Sequence, residues 1–181
     1  MGKRKDLNGA FSAAAKRMRI KGVATESVVV IFDKIEETVL RELGDVKCRN
    51  VLVMGPYFSN DKILKLLLEK DRVSIITTNE RMLKSKSRAA KLRELTPFAE
   101  HAVKTLSAGR GKNRSILHTK AIILLDEWSK PYKVLSGSFN WTNAASDNIE
   151  NMTIFTDPLV VSGYKREWHR VWKHSSARKS R

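Results

Sequence analysis

Cysteine is nearly absent: Cys48 stands alone in 181 residues. No disulfide can close within the chain, and a reducing compartment fits this usage. Cys48 sits in the apolar run around Val46 to Val53, the setting of a small buried hydrophobe, with a reactive thiol as the rarer alternative. Long apolar runs are lacking too, and none reaches the length that spans a bilayer. The start, Met1, Gly2, Lys3, Arg4, Lys5, is positive, but Phe11 to Ala15 is short and soon meets Lys16, Arg17 and Arg19. That pattern predicts no signal peptide, and a cytoplasmic or other intracellular location is expected. Asp6 stands where a myristoylation motif needs Ser or Thr, which removes that route to a membrane. Cys, His, Asp and Glu nowhere gather at metal-ligand spacing, so no metal and no other cofactor is expected.

Acid is the other shortage. Against 35 Lys and Arg there are 19 Asp and Glu, a formal net charge of +16. The excess is concentrated. Residues 1–24 carry seven basic side chains and one acid, Asp6; residues 81–120 carry eleven and two; residues 163–181 carry seven and one. The stretches 25–80 and 121–162 are close to neutral. Basic tails can simply solubilise a protein, but one sign of charge in three places argues for a polyanionic partner.

The length suits one domain with a real core. Residues 1–24 read as a basic, mobile arm, with a short helix over 10–20. Val28 to Phe32 reads as a buried strand. Asp33 to Leu43 follows with Ile35, Val39, Leu40 and Leu43 at helical spacing, and Gly44 stops it. Val51 to Met54 is a second strand. Ser59 or Asn60 can cap a helix over 61–70 whose apolar face is Ile63, Leu64, Leu67 and Leu68. Val73 to Thr77 is a third strand, and a basic helix runs from Asn79 to about Leu95. This alternation predicts an α/β layered domain over residues 25–174. In the second half, His101 to Ser107, Ile116 to Leu125, Tyr132 to Ser136 and Met152 to Phe155 read as strands. Residues 108–115 make a basic loop, and Glu127 to Pro131 turn a hairpin. Residues 158–174 form a closing helix with Trp168, Val171 and Trp172 on one side, and 175–181 read as a disordered basic tail.

Chemistry-bearing residues gather in the second half. His118 and Lys120 are two apart, so strand alternation puts them on one face; Ser138 and Asn140 repeat that spacing after the next strand. If the hairpin pairs those strands, an imidazole, an ammonium, a hydroxyl and an amide converge. A phosphodiester needs such a set. Lys120 supplies positive charge and Asn140 supplies N–H donors for oxygens that gain charge as a nucleophile attacks. Neutral imidazole can attack phosphorus. Gly137 is expected to let the backbone approach the ligand. Arg110, Lys112 and Arg114 can line a groove, and Trp141, Phe139 and Trp128 can stack on bases, although aromatic rings more often pack.

The runs LHTKAIILLDE and VLSGSFNWTNAASDNIEN resemble the signature of the phospholipase D superfamily: His, any residue, Lys, then Gly-Ser-any-Asn, then a downstream acid. The closest likeness is to small bacterial Nuc-type endonucleases with one such motif per chain. The specific match covers about residues 116–151. The resemblance implies a mixed β-sheet flanked by helices on both faces. It implies that His118 is the nucleophile, that Lys120 and Asn140 hold phosphate with Ser138 in support, and that Glu150 fixes the tautomer of His118. Asp126 departs from the family spacing by one residue, which on a strand flips its face; it is expected to be a turn residue. The family uses a second His as proton donor, and this chain has no second His-any-Lys, so a homodimer with the site at the two-fold interface is implied. With the basic charge, the resemblance implies a metal-independent nuclease that cleaves DNA or RNA through a phosphohistidine intermediate on His118; a phospholipase D acting on anionic lipid and a non-catalytic nucleic-acid-binding module of the same fold are the alternatives.

Overall fold

The computed structural model of the chain describes residues 22–77, 102–105 and 117–177. The helices expected over 10–20 and 79–95 and the loop with Arg110, Lys112 and Arg114 lie outside the described residues. The described chain runs β1 (Gly22–Ala24), β2 (Val28–Ile31), α1 (Ile35–Gly44), β3 (Asn50–Met54), α2 (Asp61–Leu68), β4 (Arg72–Thr77), β5 (Ala102–Thr105), β6 (Lys120–Leu125), β7 (Pro131–Gly137), a 3-10 turn (Asn143–Asp147), β8 (Met152–Phe155), α3 (Pro158–His174) and β9 (Ser176–Ala177). The strands form one sheet in the order β1-β2-β8-β7-β6-β3-β4-β5-β9. β3, β4 and β5 are parallel, and every other pairing is antiparallel. This is the expected mixed α/β sheet.

Both faces are covered. One carries Val51, Val53, Ile122, Leu124, Leu135 and Ile154 against α1 and α2. The other carries Met54, Ile76, Ala121, Ile123 and Val134 against Val161, Trp168 and Val171 of α3. Burial on both faces explains the unbroken apolar run Ala121–Leu125, in which every residue is buried. On α2, Ile63, Leu64 and Leu67 are buried, each contributing roughly 1.5–3 kcal/mol relative to exposure. Asn60 caps that helix, its Oδ1 accepting from Ile63 N at 3.0 Å. Asp157 caps α3 through Leu159 N and Val160 N, with Pro158 at the first turn. Cys48 is 1% exposed, and burial pushes its thiol up to about 11, so it is an inert core residue.

Four expectations change. β2 is not a buried strand: Val29 is 36% exposed and Phe32, just past its end, 37%. Its β-branched run serves pairing with β1 and β8 instead. Gly44 is the last residue of α1, and Asp45 caps it. The N-terminal arm ends in a strand, because Gly22–Ala24 pair with β2. The C-terminal tail begins as one, because Ser176–Ala177 pair with β5. In both cases the chain end satisfies backbone groups along a strand that would otherwise be an open edge. Among the described residues no helix is long and apolar enough to cross a membrane.

Candidate active site

The β6–β7 hairpin forms as expected, with Lys120 opposite Gly137, and β8 extends it with Gly137 opposite Met152. Lys120 alternates with Ile122 and Leu124, so it lies on the α1–α2 face of the sheet. The site sits where β3 and β4 end and β6 begins, at the carboxyl ends of the parallel strands, where open α/β sheets carry their ligands.

His118 lies just before β6 and is exposed, whereas Lys120 is 4% exposed. Lys120 Nζ donates to the carbonyl of His118 at 2.8 Å and lies 3.2 Å from His118 Nε2. An ammonium has donors only, so this contact is a hydrogen bond in the tautomer whose proton is on Nδ1. That is the tautomer a nucleophilic Nε2 requires. Burial lowers the Lys120 pKa below the ordinary lysine value, opposed by the negative charge of Glu150. The hydrogen-bond partner of Glu150 is Asn148 Nδ2 at 3.5 Å, and among the described residues it makes no hydrogen bond to His118.

Ser138 is fixed by Asn151, a residue the sequence reasoning passed over. Ser138 N donates to the Asn151 carbonyl at 3.1 Å and to its Oδ1 at 2.9 Å. Asn151 N donates to Ser138 Oγ at 3.0 Å. Among the described residues no acceptor takes the Ser138 hydroxyl proton. The available signal was an Asn just before a strand, facing a Gly-Ser turn across the ladder. Asn140 is half-buried, and its Oδ1 is buried without a hydrogen-bond partner. A buried unpaired carbonyl costs about 1–3 kcal/mol; a phosphodiester, whose oxygens only accept, would pair with the Asn140 amide N–H groups and not with this oxygen.

Gly137 has a role different from the one expected. A Cβ there would lie 2.2 Å from the Asn151 carbonyl oxygen, so the glycine admits the β8 backbone rather than a ligand. Trp141 is corrected too. It is 0% exposed and cannot stack on bases; its Nε1 donates to Met54 O at 3.0 Å, and its ring covers Gly55, where a Cβ would lie 2.4 Å away. Phe139 is buried edge-to-face beside it, and Trp128 is 80% exposed in the β6–β7 turn. Asp126 is the turn residue expected. Its Oδ1 accepts from Trp128 N at 3.0 Å and Lys130 N at 2.9 Å, and it lies six residues from Lys120, about 20 Å along the strand. Among the described residues, no group of three or more His, Cys, Asp or Glu stands together.

Comparison with known proteins identifies the family and the fold. Mitochondrial cardiolipin hydrolase of Xenopus tropicalis is 30% identical over 103 residues, 56% of this chain and 42% of that protein. The chain thus spans less than half of that relative. Two solved structures share the fold. Nuc of Salmonella typhimurium, described as a phospholipase D family member, superposes with a TM-score of 0.67 at 24% identity, over 85% of this chain and 99% of Nuc. NucT of Helicobacter pylori gives 0.68 at 16% identity, over 83% and 98%. The family described as "Cardiolipin synthase, PLD-like domain" matches residues 39–172, which includes every residue of the site just built, and the chain belongs to that phospholipase D-like family.

Proposed function

We propose that the chain is a phosphodiesterase that cleaves nucleic acid, DNA or RNA, without a metal. The observation that carries this reading is the Lys120–His118 contact, which sets an ammonium 3.2 Å from the Nε2 of an exposed imidazole. Nε2 of His118 attacks phosphorus. An N–P bond forms as the bond to the leaving oxygen breaks. That oxygen takes a proton from the imidazolium of His118 of the partner subunit, placed across a two-fold axis. The resulting imidazole then takes a proton from water, the water oxygen attacks phosphorus, and the N–P bond breaks to free His118. Lys120 and Asn140 stabilise the equatorial oxygens, with Ser138 in support. The +16 charge favours a polyanionic substrate.

The test is incubation with plasmid, single-stranded DNA and RNA in excess EDTA. Cleavage that disappears in His118→Ala supports the reading, and no cleavage by the intact chain overturns it. One observation favours a second reading: the curated relative is named a cardiolipin hydrolase, and cardiolipin is an anionic phosphodiester that the same site can accept. Hydrolysis of cardiolipin vesicles with nucleic acid left intact selects it.

A further inference from the structure

The outer face of α3 carries a row of cations with no part in this chemistry. Lys165, Arg166, His169, Arg170 and Lys173, with Ser162, line a groove of about 350 Å³. Steps of one, four, five and eight residues keep them on one side of the helix, away from Val161, Trp168 and Val171, which are buried against the sheet. Arg166, His169, Arg170 and Lys173 are exposed. One acid stands beside them, Glu167, paired with Arg170 at 2.7 Å. Lys165 Nζ donates to Ser129 O at 2.8 Å and braces the β6–β7 turn. Burial and the charges of Lys165 and Lys173 lower the His169 pKa. Like charges at this spacing destabilise one another, and Glu167 offsets that of Arg170.

The shape of the row identifies the anion. Lys165 to Lys173 spans about 12 Å of helix axis, the length over which one nucleic-acid strand presents about three or four phosphates. A bilayer surface calls for several protruding apolar side chains, whereas the large apolar side chains exposed on α3 are confined to its first turn, Leu159 at 82% and Val160 at 36%. Lys120 faces the opposite side of the sheet, so a backbone seated on α3 is not the segment being cleaved.

We propose that the outer face of α3 is a second nucleic-acid-binding surface, which holds the sugar–phosphate backbone without acting on it. It deepens the nucleic-acid reading: a strand held there raises the local concentration of cleavable bonds. The binding itself does not depend on catalysis.

The test uses the full chain with His118→Ala and a short labelled DNA duplex, with anisotropy measured over a salt series. Arg166→Gln, Arg170→Gln and Lys173→Gln are combined, and Lys165 is kept for its turn contact. Affinity falls by at least about tenfold near 0.1 M salt, and the log–log salt slope becomes shallower by about 2–3, since each lost phosphate contact removes about 0.9. Turnover of a small chromogenic phosphodiester by the triple variant with His118 intact is unchanged. Unchanged affinity and slope overturn the proposal. So does lost binding to phosphatidylserine vesicles with DNA binding intact, which assigns the face to lipid. If the chain cleaves no nucleic acid yet the slope still drops, the nuclease reading fails and the α3 surface stands.

Discussion

Gly137→Ala tests how the site is built. The added Cβ would lie 2.2 Å from the Asn151 carbonyl oxygen, 2.9 Å from its carbon and 3.0 Å from Met152 Cα. All three are backbone atoms, so no side chain can swing aside. Reaching 3.0 Å, below which real Cβ contacts essentially do not occur, requires β7 and β8 to part by 3.0 − 2.2 = 0.8 Å. The same carbonyl accepts from Ser138 N at 3.1 Å; the shift takes that bond to about 3.9 Å, beyond hydrogen-bond range. Overpacking of this kind costs about 1–3 kcal/mol, and a catalytic group displaced by about 1 Å loses about 100-fold in rate. Urea titration is therefore expected to show a lower midpoint with an unchanged slope, and kcat on a phosphodiester to fall about 100-fold. Equal midpoint and equal kcat would refute the backbone account. A raised KM with stability intact would restore the original expectation that Gly137 makes room for ligand.

Three further outcomes follow from the same geometry. Lys120→Met removes a cation that is 4% exposed; kcat is expected to fall about 10²–10³-fold, while thermal stability holds or rises, because a methionine avoids the desolvation of the charge. The ammonium exists below its pKa, and burial lowers that pKa, so the alkaline limb of the rate profile is expected below the ordinary lysine value of about 10.4. Stability contributed by this group runs the other way: the unfolded chain keeps the proton to higher pH, so stability rises across the window between the lowered and the ordinary value. Asp126→Ala removes two hydrogen bonds that shape the hairpin turn and is expected to cost about 1–2 kcal/mol in denaturant titration with kcat unchanged, whereas a catalytic Asp126 would lose rate.

The parts legible in the sequence are those that depend on period and spacing. The β6–β7 hairpin, with Lys120 opposite Gly137, forms on the expected residues because alternation along the two strands and the short turn at 127–131 mark it. The closing helix and β8 fall on the expected residues because Pro158 and the apolar pattern mark them. What escaped depends on contacts distant in sequence. Asn151 meets Ser138 across the ladder, and Trp141 lies over Gly55 and bonds to Met54, 87 residues away. An aromatic beside GSFN reads more often as a core residue than as a stacking platform, and the distant glycine decides for the core. The pairing of β1 and β9 at the sheet edges was hidden because neither segment, Gly22–Ala24 nor Ser176–Ala177, carries a strand pattern of its own.

The proton balance of the proposed mechanism requires a second acid, and the chain's other histidines narrow its source. His174 Nδ1 lies 2.7 Å from Arg170 O, and His169 rests edge-on against Trp168; both sit on α3, across the sheet from Lys120. Neither can reach a leaving oxygen held by His118. His101 lies outside the described residues, and the sequence gives it no Lys two residues on. The proposed mechanism takes the second acid from His118 of another copy of the chain. Two imidazoles in one site make activity depend on the square of the intact fraction. When native protein and His118→Ala are mixed in equal amounts and allowed to exchange subunits, about one quarter of the dimers carry both histidines. Activity per total protein is then expected at about one quarter of the native value, whereas chains that act alone give about one half. A result at one half would require each chain to supply its own acid, and would move attention to His101.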